Sequence, residues 1–325
     1  MAVKKVKVED AVGKPLAHDT VRFAPGVKNV LFKRGHVVTA ADVERLKNTG
    51  DYFVYVTEGK EEGVHEDEAA LRMARASAGK NVFGAKPNQG KVNLLAKAPG
   101  LLKVKADVIK RINLINDFVF STRLNNTAVR KGGLVGSVKI VPLMVAEGRM
   151  RRVEGTLKRN KPVLRVILLR VKKVSIIVTG TEVYEKRIKD AFLPVLREKL
   201  AGYGLKVRET VVVPDDDEKI KEKILEFRAG GCELVLVAGG MAVDAEDVTP
   251  AAIRKTGARV VSRGVPIFPG SMMMLAYLGG TAVMGLPACV FVDKRTSFDI
   301  LLPRVLAKEK VTKAELAELG HGGLL

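Results

Sequence analysis

ELVLVAGGMAVDAEDVTPAAI (residues 233–253) is the stretch that decides the fold. Apolar residues run unbroken from Leu234 to Ala238, two glycines stop them, an acidic patch follows, and Thr249-Pro250 opens a new pattern. A short continuous apolar run closed by glycine reads as a strand buried on both faces. Thr before Pro is a favoured helix opening, with Thr249 expected as the cap and Pro250 as the first helical residue. The paired glycines alone leave two readings open. They make a tight strand-to-helix turn, or they let an anion approach backbone N–H groups closely.

The same pattern recurs on either side. VSIIVTG (174–180) is a short apolar strand ending in glycine, and KVRETVVV (206–213) is another. Between them Ile188, Phe192, Val195, Leu196 and Leu200 share a helical face that Gly202 and Gly204 end, and Pro194 moves the helix start past Ile188. Asp215–Asp217 open a helix with Ile220, Ile224 and Phe227 inward, TAVMGLP (281–287) is a further strand, and SFDILLPRVLAKE (297–309) a closing helix. Alternating strands and helices predict a three-layer α/β/α domain with a mostly parallel sheet. Ligands of such sheets gather at the carboxyl ends of the strands. Gly180, Asp215, Gly239-Gly240 and Gly285-Leu286-Pro287 fall there.

The preceding half reads as α+β and strand-rich. A helix is expected from Ala40, capped by Thr39 and ended by Gly50, and then YFVYV (52–56) as a strand. VKVEDAVGKPLA (6–17) reads as a short helix, and residues 65–79 and 106–117 as longer ones. The predicted organisation is a small α+β region over 1–60, a basic α+β region over 61–171, an α/β domain over 172–310 and a tail over 311–325.

Charge is uneven. The formal net charge is +20, and residues 72–170 alone hold 22 Lys and Arg against 4 Asp and Glu. Such a field favours anionic partners, an acidic protein ahead of nucleic acid. Cys232 and Cys289 are too far apart for a C-x-x-C site and read as ordinary cytosolic thiols. Residues 265–292 carry no charge, but seven prolines and glycines punctuate them, so they read as short buried elements and not as a membrane span. MAVKKVKVED lacks the apolar core of a signal peptide, and a cytoplasmic location is expected.

The acidic patch supplies the chemistry. Asp244, Glu246 and Asp247 beside a phosphate-cradling turn would repel phosphate unless a cation intervened. Mg²⁺ bound through one or two carboxylates and phosphate oxygens resolves that conflict. Asp190 and Asp215 lie on neighbouring loops and would converge on the same ion.

From about Lys173 to Lys308 these pieces, in order, resemble the molybdopterin-binding domain shared by the MoaB/Mog proteins and the C-terminal part of molybdopterin molybdenumtransferase. The matching residues are Thr179-Gly180-Thr181-Glu182, Val213-Pro214-Asp215-Asp216, Gly239-Gly240-Met241-Ala242, Asp247-Val248-Thr249-Pro250, Pro269-Gly270, Gly285-Leu286-Pro287 and Leu302-Pro303. The resemblance implies a site for molybdopterin or its adenylylated form, with Mg²⁺, and with molybdate as substrate. It implies cofactor contacts from Gly180, Thr181, Glu182, Gly239, Gly240, Met241, Ala242, Gly285 and Pro287. It implies Asp247 and Asp215 as acid groups, and Asp190, Asp244 and Asp247 as metal positions. The family often forms homo-oligomers. Ala242 stands where the family has a serine or threonine, and Ala288 where it has glycine. A carrier or sensor without turnover, and a CinA-like nucleotide pyrophosphatase, remain alternatives to an enzyme of cofactor maturation. Val8–Gly13, Lys33–His36 and His65–Ala70 resemble a variant of molybdopterin-binding proteins found in anaerobic bacteria.

Overall fold

The computed structural model describes residues 3–24, 27–59, 63–241 and 248–325, and the chain divides into two compact units, Met1–Ile167 and Leu168–Leu325.

The second unit is built on one six-stranded sheet, in the order Val207–Val213, Val174–Thr179, Leu234–Ala238, Thr281–Leu286, Met274–Leu278, Arg259–Arg263. The first four strands are parallel. Met274–Leu278 runs antiparallel to both of its neighbours. Every residue of the three strands Val174–Thr179, Leu234–Ala238 and Thr281–Leu286 is buried, which is why their sequences show no polar alternation. On one face Ile176, Val178, Leu236 and Met284 pack with the helices Phe192–Ala201 and Ser297–Leu306. On the other, Ile177, Val235, Val237 and Val283 pack with Asp217–Ala229 and Thr249–Lys255. The result is a three-layer α/β/α unit whose sheet is mostly parallel, as expected.

Local chemistry sets the helix ends. Asp216 caps its helix through the amides of Glu218 and Lys219. Thr296 and Asp299 form a capping box. Phe192 is the first residue of its helix, so Pro194 sits in the first turn, where its missing N–H costs nothing. Thr249 departs from expectation. It is the first helical residue, and Val248 holds the cap position. The 311–325 segment, expected as a tail, carries the helix Lys313–Glu318 and adds Val311 and Leu316 to the core. Beneath it Arg304 is 2% exposed and donates to Glu309 at 3.0 Å and to Glu315 at 2.5 Å.

The first unit packs the helix Glu66–Ser77 on an antiparallel sheet ordered Val82–Gly84, Lys91–Ala96, Leu134–Ile140, Phe118–Thr122. A second helix, Glu147–Arg159, lies beside it, and Arg72 donates to both Glu147 and Glu154. Residues 3–57 form their own small core of Val6, Val8, Leu16, Val38, Leu46, Val54 and Val56. There Ala40–Lys47 is a helix with a Thr39–Asp42 capping box, and Phe53–Thr57 a strand. The short helix expected over 6–17 is instead the strand Val3–Lys7 followed by one 3-10 turn, Glu9–Ala11. Val6 and Val8 are buried while Lys5 and Lys7 are exposed, a period of two that fits a strand. Among the described residues no helix is long and apolar enough to cross a membrane.

Candidate functional site

Four loops meet at the carboxyl edge of the parallel strands in the second unit, and one carboxylate ties two of them together. Thr179, the last residue of its strand, donates from Oγ1 to Asp215 at 2.7 Å. The Thr181 amide donates to the other carboxylate oxygen at 2.8 Å, and the Thr181 hydroxyl adds a third bond at 3.3 Å. The Asp215 amide donates in return to Thr181 Oγ1 at 3.2 Å. Asp215 thus uses three of its roughly four acceptor sites to clamp the first two strand ends. Beyond the acid role expected of it, Asp215 holds these two loops together.

The next loop is joined by backbone closeness. Gly239 has φ 107°, and a Cβ there would strike the Thr179 carbonyl oxygen; at Gly240, φ 57°, it would lie 2.9 Å from Thr249 Oγ1. Thr249 donates its hydroxyl to the Gly239 carbonyl at 2.9 Å and its amide to the Gly240 carbonyl at 3.2 Å. That cross-link explains why Thr249 is not a cap. Its hydroxyl reaches back to the glycines instead of to its own helix. Gly180, with φ 153°, completes the group; it is buried, and at all three glycines the space a Cβ would take is held by neighbouring protein atoms.

The remaining expected contacts divide. Thr181 and Glu182 are exposed at the strand edge. Pro287 is buried behind it. The Met241 side chain turns away, 2% exposed in the core, against Gly285, where a Cβ would lie 2.6 Å from the sulfur. Gly285 therefore serves packing, because only glycine admits that thioether. Asp190, expected at a metal, accepts from the amides of Phe192 at 2.8 Å and Leu193 at 3.2 Å and opens their helix. Ala242, Asp244 and Asp247 lie outside the described residues. Among the described residues no group of three His, Cys, Asp or Glu side chains is placed to hold a metal ion. Burial pushes the Cys289 thiol up, which keeps it in the unreactive form.

The rim carries both signs. Lys186, Arg187 and Lys189 follow the first strand beside Glu182, Glu185 and Asp190, with Arg187 paired to Glu185 at 2.6 Å, and Lys294 and Arg295 follow the last parallel one beside Asp293. The two segments are neighbours, since the Phe192 and Phe291 rings meet edge to face at 4.6 Å and Lys199 donates to the Lys294 carbonyl.

Residues 175–308 match the family described as "Probable molybdopterin binding domain". Residues 5–58 match a domain of unknown function (DUF8806). Among curated relatives, the molybdopterin molybdenumtransferase of Synechococcus elongatus is 32% identical over 111 residues, covering 32% of this chain and 28% of that protein. A CinA-like protein of Anaeromyxobacter dehalogenans is 35% identical over 77 residues, covering 24% of this chain and 19% of its own length. The chain thus spans less than a third of either relative. Among solved structures, the molybdopterin biosynthesis enzyme MoaB from Thermus thermophilus is 22% identical, with TM-score 0.35, covering 42% of this chain and 98% of that one. The molybdopterin binding domain family coincides with the α/β/α unit and with the strand-end loops described above.

Sequence reading passes over Thr179 as a bonding residue and gives Thr249 a cap bond in place of its bond to Gly239. The available signal was a threonine at the last position of a buried strand and another after an acidic loop. Neither reveals that the Thr179 hydroxyl bonds across to the next loop, or that the Thr249 hydroxyl closes its own loop on Gly239.

Proposed function

We propose that the second unit binds molybdopterin or adenylylated molybdopterin over the strand ends and takes part in inserting molybdate, with Mg²⁺ supported by the acidic loop. The observation that carries this reading is the joining of Gly239, Gly240, Thr179, Thr181 and Asp215 at the carboxyl ends of the parallel strands, within the stretch matching molybdopterin binding domains. Backbone at these glycines, with Thr181, Glu182 and Pro287, would hold the pterin, and Lys186, Lys189, Lys294 and Arg295 its phosphates. Asp244 and Asp247 would hold the ion, while Asp215 keeps two loops in register. Bound Mg²⁺ would supply counter-charge to phosphate oxygens and to charge developing on phosphorus.

Two observations favour a second reading, a carrier or sensor without turnover. Ala242 offers no hydroxyl, and Asp215 is already committed to three hydrogen bonds. The CinA-like relatives keep a third in play, hydrolysis of a nucleotide pyrophosphate bond. Incubation of the protein with adenylylated molybdopterin, Mg²⁺ and molybdate separates them. AMP release with active cofactor supports insertion, tight binding without AMP supports carriage, and AMP from ADP-ribose supports hydrolysis. Asp247→Ala is expected to abolish turnover; unchanged AMP release removes Asp247 from the site.

The basic first unit would dock an acidic protein such as a molybdoenzyme in the cytoplasm. All four acids of residues 72–170 are paired with arginines, Asp107 with Arg111, Asp117 with Arg149, Glu147 and Glu154 with Arg72. The many remaining cations form a field that salt would screen. Association in homo-oligomers belongs to the same reading, and light scattering measures it.

A further inference from the structure

The four-stranded antiparallel sheet of the first unit is covered on one side. Val82, Val92, Leu94, Phe120 and Val138 enter the core beneath the helix Glu66–Ser77. The residues alternating with them point the other way. Cross-strand neighbours set three rows on that second face: Phe83, Leu95 and Leu134, then Asn93, Ser137 and Ser121, then Lys91, Lys139 and Val119. The middle row is joined, Ser137 donating its hydroxyl to Asn93 at 2.7 Å. The face is open, with Phe83 39%, Val119 42% and Leu134 46% exposed. Beside the apolar row lies a cavity of about 350 Å³, lined by Phe83, Ala96, Lys97, Lys131 and Gly132.

Charge here has one sign. The strands lie within residues 77–106 and 118–146, which hold six and four Lys and Arg and no Asp or Glu. Lys91, Lys97, Arg123 and Lys131 are exposed, and none pairs with a carboxylate among the described residues. Lys91 stands directly opposite Lys139 in the ladder, a like-charge placement that is unfavourable in the free protein. Lys139 turns its ammonium to the Gln89 carbonyl at 2.6 Å.

These features select the occupant. A second copy would set the same cations against themselves. A single strand of nucleic acid stacks successive bases on rings, and this face offers one ring, Phe83, among aliphatic side chains. Addition of a partner strand at the Phe118–Thr122 edge is blocked, because Asn113 donates to the Phe120 carbonyl at 2.9 Å and accepts from its amide at 2.7 Å. A protein segment with carboxylates on both sides of an apolar side chain matches the cations and the apolar row together.

We propose that this open sheet face docks an acidic segment of a partner protein, one apolar side chain seated in the cavity beside Phe83 and the flanking carboxylates on Lys97 and Lys131. The placement rests on the reading that the basic first unit meets an acidic protein, and locates the contact.

The test uses the full chain and fluorescence anisotropy. The probes are a labelled peptide with glutamates on both sides of a Phe-Leu pair, an all-glutamate peptide of equal charge, an oligothymidylate and phosphatidylserine vesicles. The Phe-Leu peptide is expected to bind more weakly as salt rises, and about fivefold or more tighter than the all-glutamate peptide. Phe83→Ala, and Lys97→Glu with Lys131→Glu, are each expected to weaken it about fivefold or more, as for contacts at the centre of an interface. Arg152→Glu with Arg159→Glu, exposed on the helix side of the same basic unit, is expected to stay within about twofold, since distant charges are screened. All the altered side chains are exposed, so the fold is not at stake. If acidic peptides bind and only the Arg152 and Arg159 changes weaken them, the partner lands elsewhere and the placement alone falls. If neither acidic peptide binds, the reading beneath it falls too. Equal binding of the two peptides, or tighter binding of oligothymidylate or vesicles, also overturns the proposal.

Discussion

Asp215 concentrates the logic of the strand-end loops in one side chain. Its carboxylate receives two hydroxyls and an amide from two threonines on another strand end. Asp215→Ala leaves those donors without their acceptor and is expected to lower stability by about 1–3 kcal/mol, read as a shift in denaturant midpoint at unchanged slope. Asp215→Asn keeps one acceptor oxygen and should fall between. If Asp215 were an acid group with no positioning role, both variants would unfold like the parent. Gly239→Ala is a harsher change. It puts an L side chain at φ 107° against the Thr179 carbonyl, and a loss of about 1–3 kcal/mol is expected from the backbone alone. Melting curves compared with Gly257→Ala, where φ is 78° but nothing lies within 4 Å, separate contact from backbone strain.

Elements were legible where one pattern filled them. The three fully buried parallel strands could be read directly, because both faces are apolar and glycine closes the turn after two of them. The antiparallel pair Arg259–Arg263 and Met274–Leu278 could not, because prolines and glycines cut its apolar run and nothing in periodicity gives strand direction. The helix Glu147–Arg159 was hidden similarly. Only Met150, Val153 and Leu157 are buried, among five basic residues and two glycines. The C-terminal segment is a second departure. Residues 311–325 are expected as a tail, yet Val311 and Leu316 join the core and buried Arg304 pairs with Glu315 from this segment and with Glu309 just before it. Removing the partner of a buried cation is costly. A chain ending at Lys310 should therefore melt at lower temperature than the full chain, and Arg304→Met in that shortened chain should recover part of the loss.

The whole molecule answers to pH through opposed groups in its first unit. Glu66 titrates near 4.5 in the unfolded chain and about 7 in the fold, so the fold keeps a proton that the unfolded chain has released. Its contribution is full below about 4.5 and is lost as pH rises through about 7. Asp42 runs the other way. Burial alone would push it up, but bonds from His36 and from the Thr39 hydroxyl and amide outweigh burial and hold it at about 2. Its contribution is present above about 3.8 and is lost as pH falls towards about 2. His18, held below the ordinary imidazole range by burial, acts against Glu66 in the same window, so the test is a difference: chemical denaturation across pH 5 to 7 should show the stability of Glu66→Gln relative to the parent rising with pH, and a constant difference removes Glu66 as a source. The boundary after Ile167 carries a consequence of another kind. The apolar clusters on its two sides share no residue, and the amides of Arg170 and Val171, just past it, already bond to Leu306 within the second unit. A lineage could exchange the segment before that point and hand the α/β/α unit on with its packing intact. Recombination there would be tolerated where a crossover inside either core would not.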